Sequence, residues 1–421
     1  MADHRPIAAP AAAPRKAAVA FIFITILLDM LALGMVIPVL PELVKAFRGG
    51  DTVSAATTLG WFGTVWALMQ FIASPIVGAL SDHFGRRPVV LLSNFGLGCD
   101  YVLMAVAPTL GWLFVGRIIS GITSSSIATA YAYIADVTPA ETRAKSFGLM
   151  GAAFGIGFVV GPALGGILGH YNPRLPFWVA AAFSLANAIY GLFVLPESLP
   201  LERRSRFTWR RAHPIASLRL LRAYPGMLLF GAMHFLYYVA HMSLPAVFVL
   251  YADYRYGWDS QAVGYTLAAV GVSSGLVQGG LVGPAVKRLG ERGALILGLT
   301  CGAIGFTVYG LAPTGKMFLI GVPILALWGL YGPSAQSLMT RRVAHHEQGQ
   351  LQGALSSLTA FANMLAPALF SLVFAGAISR FKAWQLPGAP YLLAAVVLLA
   401  AIGLGLQATR SPQPAGEMTT A

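Results

Sequence analysis

Apolar runs of about twenty residues recur along this chain, parted by short polar stretches. A run of that length crosses a bilayer as an α-helix. Six such runs fit the first half, at about 17–40, 55–80, 88–107, 110–135, 147–169 and 176–195. Six more fit the second, at about 226–252, 261–285, 293–312, 317–341, 349–375 and 389–408. The pattern predicts an all-α polytopic membrane protein with twelve transmembrane helices. The N-terminal half is 17–195 and the C-terminal half is 226–408, joined by a basic linker, 196–225. Residues 1–16 are an Ala/Pro tail, expected to be disordered, and 409–421 form a short polar tail. The first apolar run is too long for a signal-peptide core and reads as a retained span.

Composition agrees with the pattern. Of the 421 residues 57% are hydrophobic and 10% charged, against about 25% charged in soluble domains. The net charge of +13 does not mark a nucleic-acid surface, because the basic residues fall in short loops between apolar runs. Twenty of the 28 Lys and Arg lie in the N-tail, the loops after even-numbered spans and the C-tail; seven lie on the other face, and Arg117 is inside a span. Both termini are therefore expected in the cytoplasm, with the bilayer as partner and no nucleic acid. The arginines of the linker read as solvated or facing lipid headgroups. Cys99 and Cys301 lie inside apolar runs, so two free thiols are expected. No metal-ligand spacing and no cofactor motif is present.

The halves look like copies. Gly78 and Gly283 stand 205 residues apart, and the same offset pairs Gly148 with Gly353, Pro162-Ala163-Leu164 with Pro367-Ala368-Leu369, and Gly85-x-Arg87 with Gly290-x-Arg292. A duplicated six-helix unit predicts two pseudo-symmetric halves with a site at their interface.

The turn between the second and third spans reads Gly78-Ala-Leu-Ser-Asp82-His-Phe-Gly85-Arg86-Arg87-Pro88. It is so short that both spans must end at one face. Gly78 and Gly85 are expected to allow tight backbone approach. Asp82 can meet a helix N-terminus or a basic neighbour, and Arg86 and Arg87 hold the turn at the cytoplasmic side.

Two carboxyls and an arginine lie deep within spans. Asp29, in Leu27-Leu28-Asp29-Met30-Leu31, costs at least about 2.5 kcal/mol to insert. Burial disfavours the charged form of a carboxyl, which suits a group that takes up and releases a proton; alternatively it hydrogen-bonds its own helix near Gly34. Asp100 invites the same reading, or neutralisation by a structural partner. Arg117 needs a carboxylate, polar backbone or water, or snorkels to the interface. His234 and His241, seven residues apart, share a face of the seventh span; either carries a proton or makes a structural hydrogen bond. Gln278 can orient a ligand or bridge two helices. Asp136, Glu141 and Arg143 form a charge cluster after the fourth span.

The Gly78–Pro88 turn resembles the Gly-x-Leu-x-Asp-Arg-x-Gly-Arg-Arg loop of major facilitator superfamily transporters, with His83 at the usual basic position. Leu28-Asp29-x6-Val36-Ile37-Pro38-Val39-Leu40-Pro41, Asp100-Tyr101, Tyr256-Gly257-Trp258-Asp259-Ser260 and Leu351-Gln352-Gly353 are similar to segments of its tetracycline/proton antiporters. The resemblance implies the major facilitator fold and a proton-coupled antiporter that exports an amphipathic drug, acting as a monomer. It casts Asp29, Asp100 and Arg117 as proton-coupling groups. It makes Asp82, Arg86, Asp136, Glu141 and Arg143 a cytoplasmic gate with Gly78, Gly85 and Arg87. It reads Gly157-x3-Gly161-Pro162-Ala163-Leu164-Gly165-Gly166 as the antiporter signature, a hinge or seal. Gln278, His234, Phe235, Tyr237, Tyr238 and Asn363 are expected to line the substrate cavity. Two departures stand out: Gly302 and Ser274 occupy places where the family's archetype carries an acid and a histidine of its proton and metal–drug machinery. The rival functions are an uptake transporter for a metabolite and an intramembrane enzyme; against the latter, no His-Glu-x-x-His and no nucleophile motif occurs.

Overall fold

The structure is a computed structural model that describes residues 13–124, 127–138, 140–204, 220–343 and 347–410. The two tails at 1–12 and 411–421 and linker residues 205–219 lie outside it, as do the side chains of Glu141 and Arg143. The N-terminal half holds α1 (Ala13–Phe47), α2 (Thr52–Phe84), α3 (Arg86–Val106), α4 (Leu110–Thr123), α5 (Ile127–Val137), α6 (Ala140–Tyr171) and α7 (Leu175–Val194). After the short α8 (Leu220–Ala223) come α9 (Met227–His241), α10 (Ser243–Tyr256), α11 (Ser260–Leu276), α12 (Val282–Leu311), α13 (Gly315–Ala326), α14 (Tyr331–Thr340), α15 (Gln348–Ile378) and α16 (Ala389–Arg410).

Ten stretches of the described residues are long and apolar enough to cross a bilayer. One of them, Ser260–Leu311, is 52 residues long and is broken at Gly290 (φ 70°, ψ 167°). Gln278 packs beside Gly329 and Gly302 beside Trp328, so residues twelve before and twelve after Gly290 share one depth and the chain reverses there. The short apolar α4 continues toward α5 as a further crossing. The count is then twelve.

Local chemistry sets the ends. Asp51 caps α2, accepting from the N–H groups of Val53 (3.0 Å) and Ser54 (3.1 Å); the Ser54 hydroxyl and these N–H groups hold its carboxyl below the usual range. Gly257 closes α10 in the left-handed region (φ 66°), and Asp259 opens α11. Helix α3 is secured at both ends as its dipole prefers. Glu197 accepts from the N–H groups of Arg86 (2.9 Å) and Arg87 (3.3 Å) at its start. Arg174 donates to the carbonyls of Ala105 (2.6 Å) and Ala107 (2.8 Å) at its end.

The repeat is visible in the backbone. Gly85 (φ 107°, ψ 160°) and Gly290 take the same glycine-only conformation at equivalent turns. The halves meet along two seams. In one, Gly264 of α11 lies against Pro162 and Gly166 of α6, and Gly271 against Val159. In the other, Gly60 and Gly63 of α2 face Ser371 and Pro367 of α15. Both seams lie toward the end that carries Lys45 and Asp253. Toward the Arg86 end, Gly151 and Gly155 of α6, and Gly275, Gly279, Gly280 and Gly283 of the facing helix, have nothing within 4 Å of where a Cβ would stand. The two six-helix halves therefore close at one end and part at the other.

Candidate functional site

At the parted end, Gly85 turns the chain so that Arg86 opens α3 beside the last turn of α2. Arg86 pairs with Asp82 (Nη1–Oδ1 2.6 Å) and Asp136 (Nε–Oδ2 3.3 Å) and donates to the Ser81 hydroxyl (2.7 Å). Arg87 turns away and donates to the Leu192 carbonyl (2.7 Å). The expectation for Gly78 needs correction: among the described residues nothing lies within 4 Å of where its Cβ would stand, so no close approach depends on it. Gly85 is the glycine the turn requires, by its φ and because Glu197 and Arg204 crowd it. Glu197 was not singled out from sequence; its partners lie 111 and 110 residues away, and no spacing betrays that.

Within the span region, Phe21, Leu91 and Gly191 meet in one layer of α1, α3 and α7. Asp29 is eight residues beyond Phe21 and Asp100 nine beyond Leu91, so the two carboxyls share a depth. Tyr101, buried, lies within electrostatic reach of both. Asp29 is partly exposed, yet its Oδ1 is buried without a partner. Asp100 is 1% exposed. Arg117 faces it from α4 without closing an ion pair, and the Ser120 hydroxyl is directed at its carboxyl. Arg117, 8% exposed, instead directs Nη2 at the Met104 sulfur (3.1 Å). It is inside the bundle, not snorkelling. Gly116 makes room for this group: its missing Cβ would stand 3.0 Å from Asp100 Oδ1 and 2.7 Å from Met104.

The glycines of α6 form a stripe that two helices share. Gly157 meets Met30, Gly161 meets Gly34 and Gly165 meets Met35, all on α1; Gly166 meets Ser260 and Gly264 on α11. Pro162 presses its ring to Gly34 and its carbonyl to Gly264. The stripe thus lets α1 and α11 approach α6 at backbone distance.

In the C-terminal half, Tyr237 stacks on Tyr331 (centroids 3.8 Å, 15°) and leans on Trp328 (4.6 Å). His234 Nε2 lies 3.1 Å from the Thr359 hydroxyl, and its ring is 4.8 Å from Tyr238. His241 is 5.5 Å from Trp328. Phe235 lies on the same helix. It is partly buried three residues before Tyr238 and packs against the same core as Tyr237 and Tyr238. Gln278 is exposed on a π-helical stretch, Val277–Leu281, beside Gly329 of a 3₁₀ stretch, Leu327–Leu330. π segments favour functional sites. Asn363 is partly buried with Oδ1 unpartnered. Trp328 was missed in the sequence because its importance lies in filling the space at Gly302: a Cβ there would be 2.8 Å from the indole.

At the closed end the Lys45 ammonium pairs with Asp253 across the halves, and His170 Nδ1 lies 3.2 Å from Asp259. Neither pair was read from the sequence.

Residues 22–367 match the Major Facilitator Superfamily family profile. The chain belongs to that superfamily. Among its relatives there, it is 38% identical to the class C tetracycline resistance protein of Escherichia coli, over 88% of this chain and 93% of that one. It is 33% identical to the class B tetracycline resistance protein of Escherichia coli, over 85% and 88%. In fold it is similar to the nucleoside transporter NupG (TM-score 0.75, 12% identity, covering 93% and 99%). It is similar also to the human organic anion transporter TETRAN (TM-score 0.68, 23% identity, covering 93% and 99%).

Proposed function

We propose that this chain is a proton-driven antiporter of the bacterial cytoplasmic membrane that exports amphipathic, tetracycline-like drugs by alternating access. The observation that carries this reading is the pair Asp29 and Asp100: two carboxyls at one depth of the N-terminal half, one partly exposed and one sealed beside an unpaired arginine. Unpaired ionisable groups in a span are expensive and mark ion pathways. Similarity to tetracycline resistance proteins over most of the chain supports the drug-exporting direction.

The Lys/Arg asymmetry puts both termini and the Arg86 turn in the cytoplasm. The conformation, closed at the Lys45–Asp253 end and parted at the Arg86 end, then faces inward. Asp82, Arg86 and Asp136, joined by Glu141 and Arg143, act as the cytoplasmic gate, and the α6 glycine stripe acts as the outer seal. His234, Tyr237, Tyr238, Gln278 and Asn363 serve as the drug-facing wall, with Trp328 and Tyr331 behind them. A drug carried without a bound metal fits this wall, because the Trp328 indole fills the space beside Gly302.

Everted vesicles test the reading. Asp29→Asn and Asp100→Asn mimic the protonated acids and release no proton. At least one is expected to abolish uphill tetracycline accumulation while drug binding remains. Accumulation by both variants that still collapses with a protonophore would place the coupling site elsewhere.

A further inference from the structure

Helices α3 and α7 pack antiparallel, and two contacts fix their register. Leu91 lies 2.5 Å from where a Cβ of Gly191 would stand, and Leu185 lies 2.5 Å from that of Gly98. By that register Asn94 of α3 and Asn187 of α7 stand at about one level between those contacts. Asn94 is 0% exposed, and neither its amide nitrogen nor its oxygen has a partner. Asn187, 2% exposed, accepts from the Thr25 hydroxyl of α1 (3.2 Å) at Oδ1 and leaves Nδ2 unpartnered. One turn along α7 toward the depth of Asp100, Ser184 is buried with its hydroxyl unpartnered. The Asp100 carboxyl stands at the far end of this row, with the Ser120 hydroxyl toward it. From Asn94 to Asp100 is about 9 Å along the helix.

An unpaired buried polar group costs about 1–3 kcal/mol, so such a row does not persist bare. Hydrophobic neighbours offer it nothing, while a buried water makes about three hydrogen bonds to groups of this kind. We infer that the interior of the N-terminal bundle binds a short file of water between Asp100 and Asn94, held by Asn94, Asn187, Thr25 and Ser184, and that the proton of Asp100 travels along it. This rests on the reading of Asp100 as a coupling carboxyl. Asp100, 1% exposed, is too buried to trade protons directly with water outside the bundle. In the transfer, a water oxygen accepts the carboxyl proton and gives its own to the next water, leaving a carboxylate; the last water, at Asn94, passes its proton to bulk water at the Arg86 end when the Phe21–Leu91 layer parts, and the reverse restores the acid. The amides change no protonation state. Toward the Arg86 end the file stops at Phe21 and Leu91, both buried, with the Tyr190 ring against Phe21 (5.5 Å). That apolar layer separates the file from Arg87 and keeps it from being a permanent leak.

The test uses the full chain in proteoliposomes, with tetracycline as probe and tetracycline-driven proton flux as readout. Asn94→Leu fills the site with hydrocarbon and is expected to lower the flux at least about tenfold, with tetracycline binding unchanged. Asn94→Ser keeps a hydroxyl and makes room for another water, and is expected to stay within about threefold of the native chain. Native flux in Asn94→Leu, alongside lost flux in Asp100→Asn, overturns the water file and leaves the coupling reading intact. Native flux in Asp100→Asn overturns the coupling reading itself. If Asn94→Leu does not fold, a high-resolution map of the native chain decides: water density on Asn94 and Asn187 supports the file, and a dry amide pair overturns it.

Discussion

Arg86 and Glu291 occupy equivalent places in the two halves and carry opposite charge. They stand 205 residues apart, each one residue after the turn glycine, Gly85 or Gly290. Their partners are equivalent too. Arg86 pairs with Asp136, and Glu291 pairs with Arg341 (2.7 Å), again 205 residues on; Glu291 also accepts from the Ser337 hydroxyl (2.6 Å). The repeat has kept an ion pair and exchanged its ends.

Such partly exposed pairs contribute about 0–1 kcal/mol to stability, so their effect is expected in transport. When the parted end closes, as alternating access requires, the pseudo-two-fold axis brings the two turns toward each other, and the Arg86–Asp136 pair meets the reversed Glu291–Arg341 pair. Glu291→Arg is expected to cut tetracycline transport in everted vesicles severalfold while changing the melting free energy by under about 1 kcal/mol. Adding Arg341→Glu restores the local pair and is expected to recover part of the loss. A double variant no better than the worse single one would deny the pair a role.

The α6 stripe makes a sharper contrast. A Cβ on Gly161 would lie 2.9 Å from Gly34 Cα and 2.9 Å from the Leu31 carbonyl, both backbone, so nothing can rotate aside. Gly161→Ala is expected to destabilise the chain by about 1–3 kcal/mol and to impair transport. Gly155→Ala, two turns nearer the cytoplasm by the proposed orientation, meets open space and is expected to stay within about 0.5 kcal/mol. Thermal unfolding in detergent measures both; equal effects would mean the stripe is not a packing surface.

What was legible in the sequence follows from what a bilayer demands. Twenty apolar residues must be continuous to cross it, so the spans show. A reversal with positive φ demands glycine, so Gly85 and Gly290 reveal the duplication. The Gly157–Gly161–Gly165 spacing shows a helix seam because close approach needs small residues at helical period. What stayed hidden depends on segments far apart in the chain. Lys45 meets Asp253 and Glu197 caps α3 across more than a hundred residues. The π stretch at Val277–Leu281 left no periodic mark.

The Lys45–Asp253 pair joins the halves where they are closed, with each side chain about a third exposed. Asp253→Asn removes one of the two charges. The inward-facing population is expected to fall, by a free energy of no more than about 1 kcal/mol, or up to about fivefold in the conformational ratio. Spin labels on the α1–α2 and α10–α11 loops would report it as a growing long-distance component. An unchanged distance distribution would mean the pair does not hold that end.

Gly302 and Trp328 decide the last prediction. Related tetracycline/proton antiporters, by the resemblance of Leu297-Gly298, carry an acid where this chain has Gly302. Here a Cβ at 302 would lie 2.8 Å from Trp328 Cδ1 and 2.9 Å from Leu398 Cδ1. Trp328 is itself wedged among Tyr237 (4.6 Å), Phe306 (5.2 Å) and His241 (5.5 Å), so it has nowhere to go. Gly302→Asp therefore overpacks the site by about 1–3 kcal/mol and buries a carboxyl without a partner besides. Trp328→Leu opens the space at a cost of its own. The two changes are expected to couple, the double variant being more stable than the sum of the singles by about 1 kcal/mol or more. Additive unfolding energies would show that the indole does not occupy the place of the acid. The transport counterpart uses the native chain: with no acid at Gly302, tetracycline export in everted vesicles is expected to persist when divalent cations are chelated, and its loss on chelation would show that this chain carries the metal complex after all.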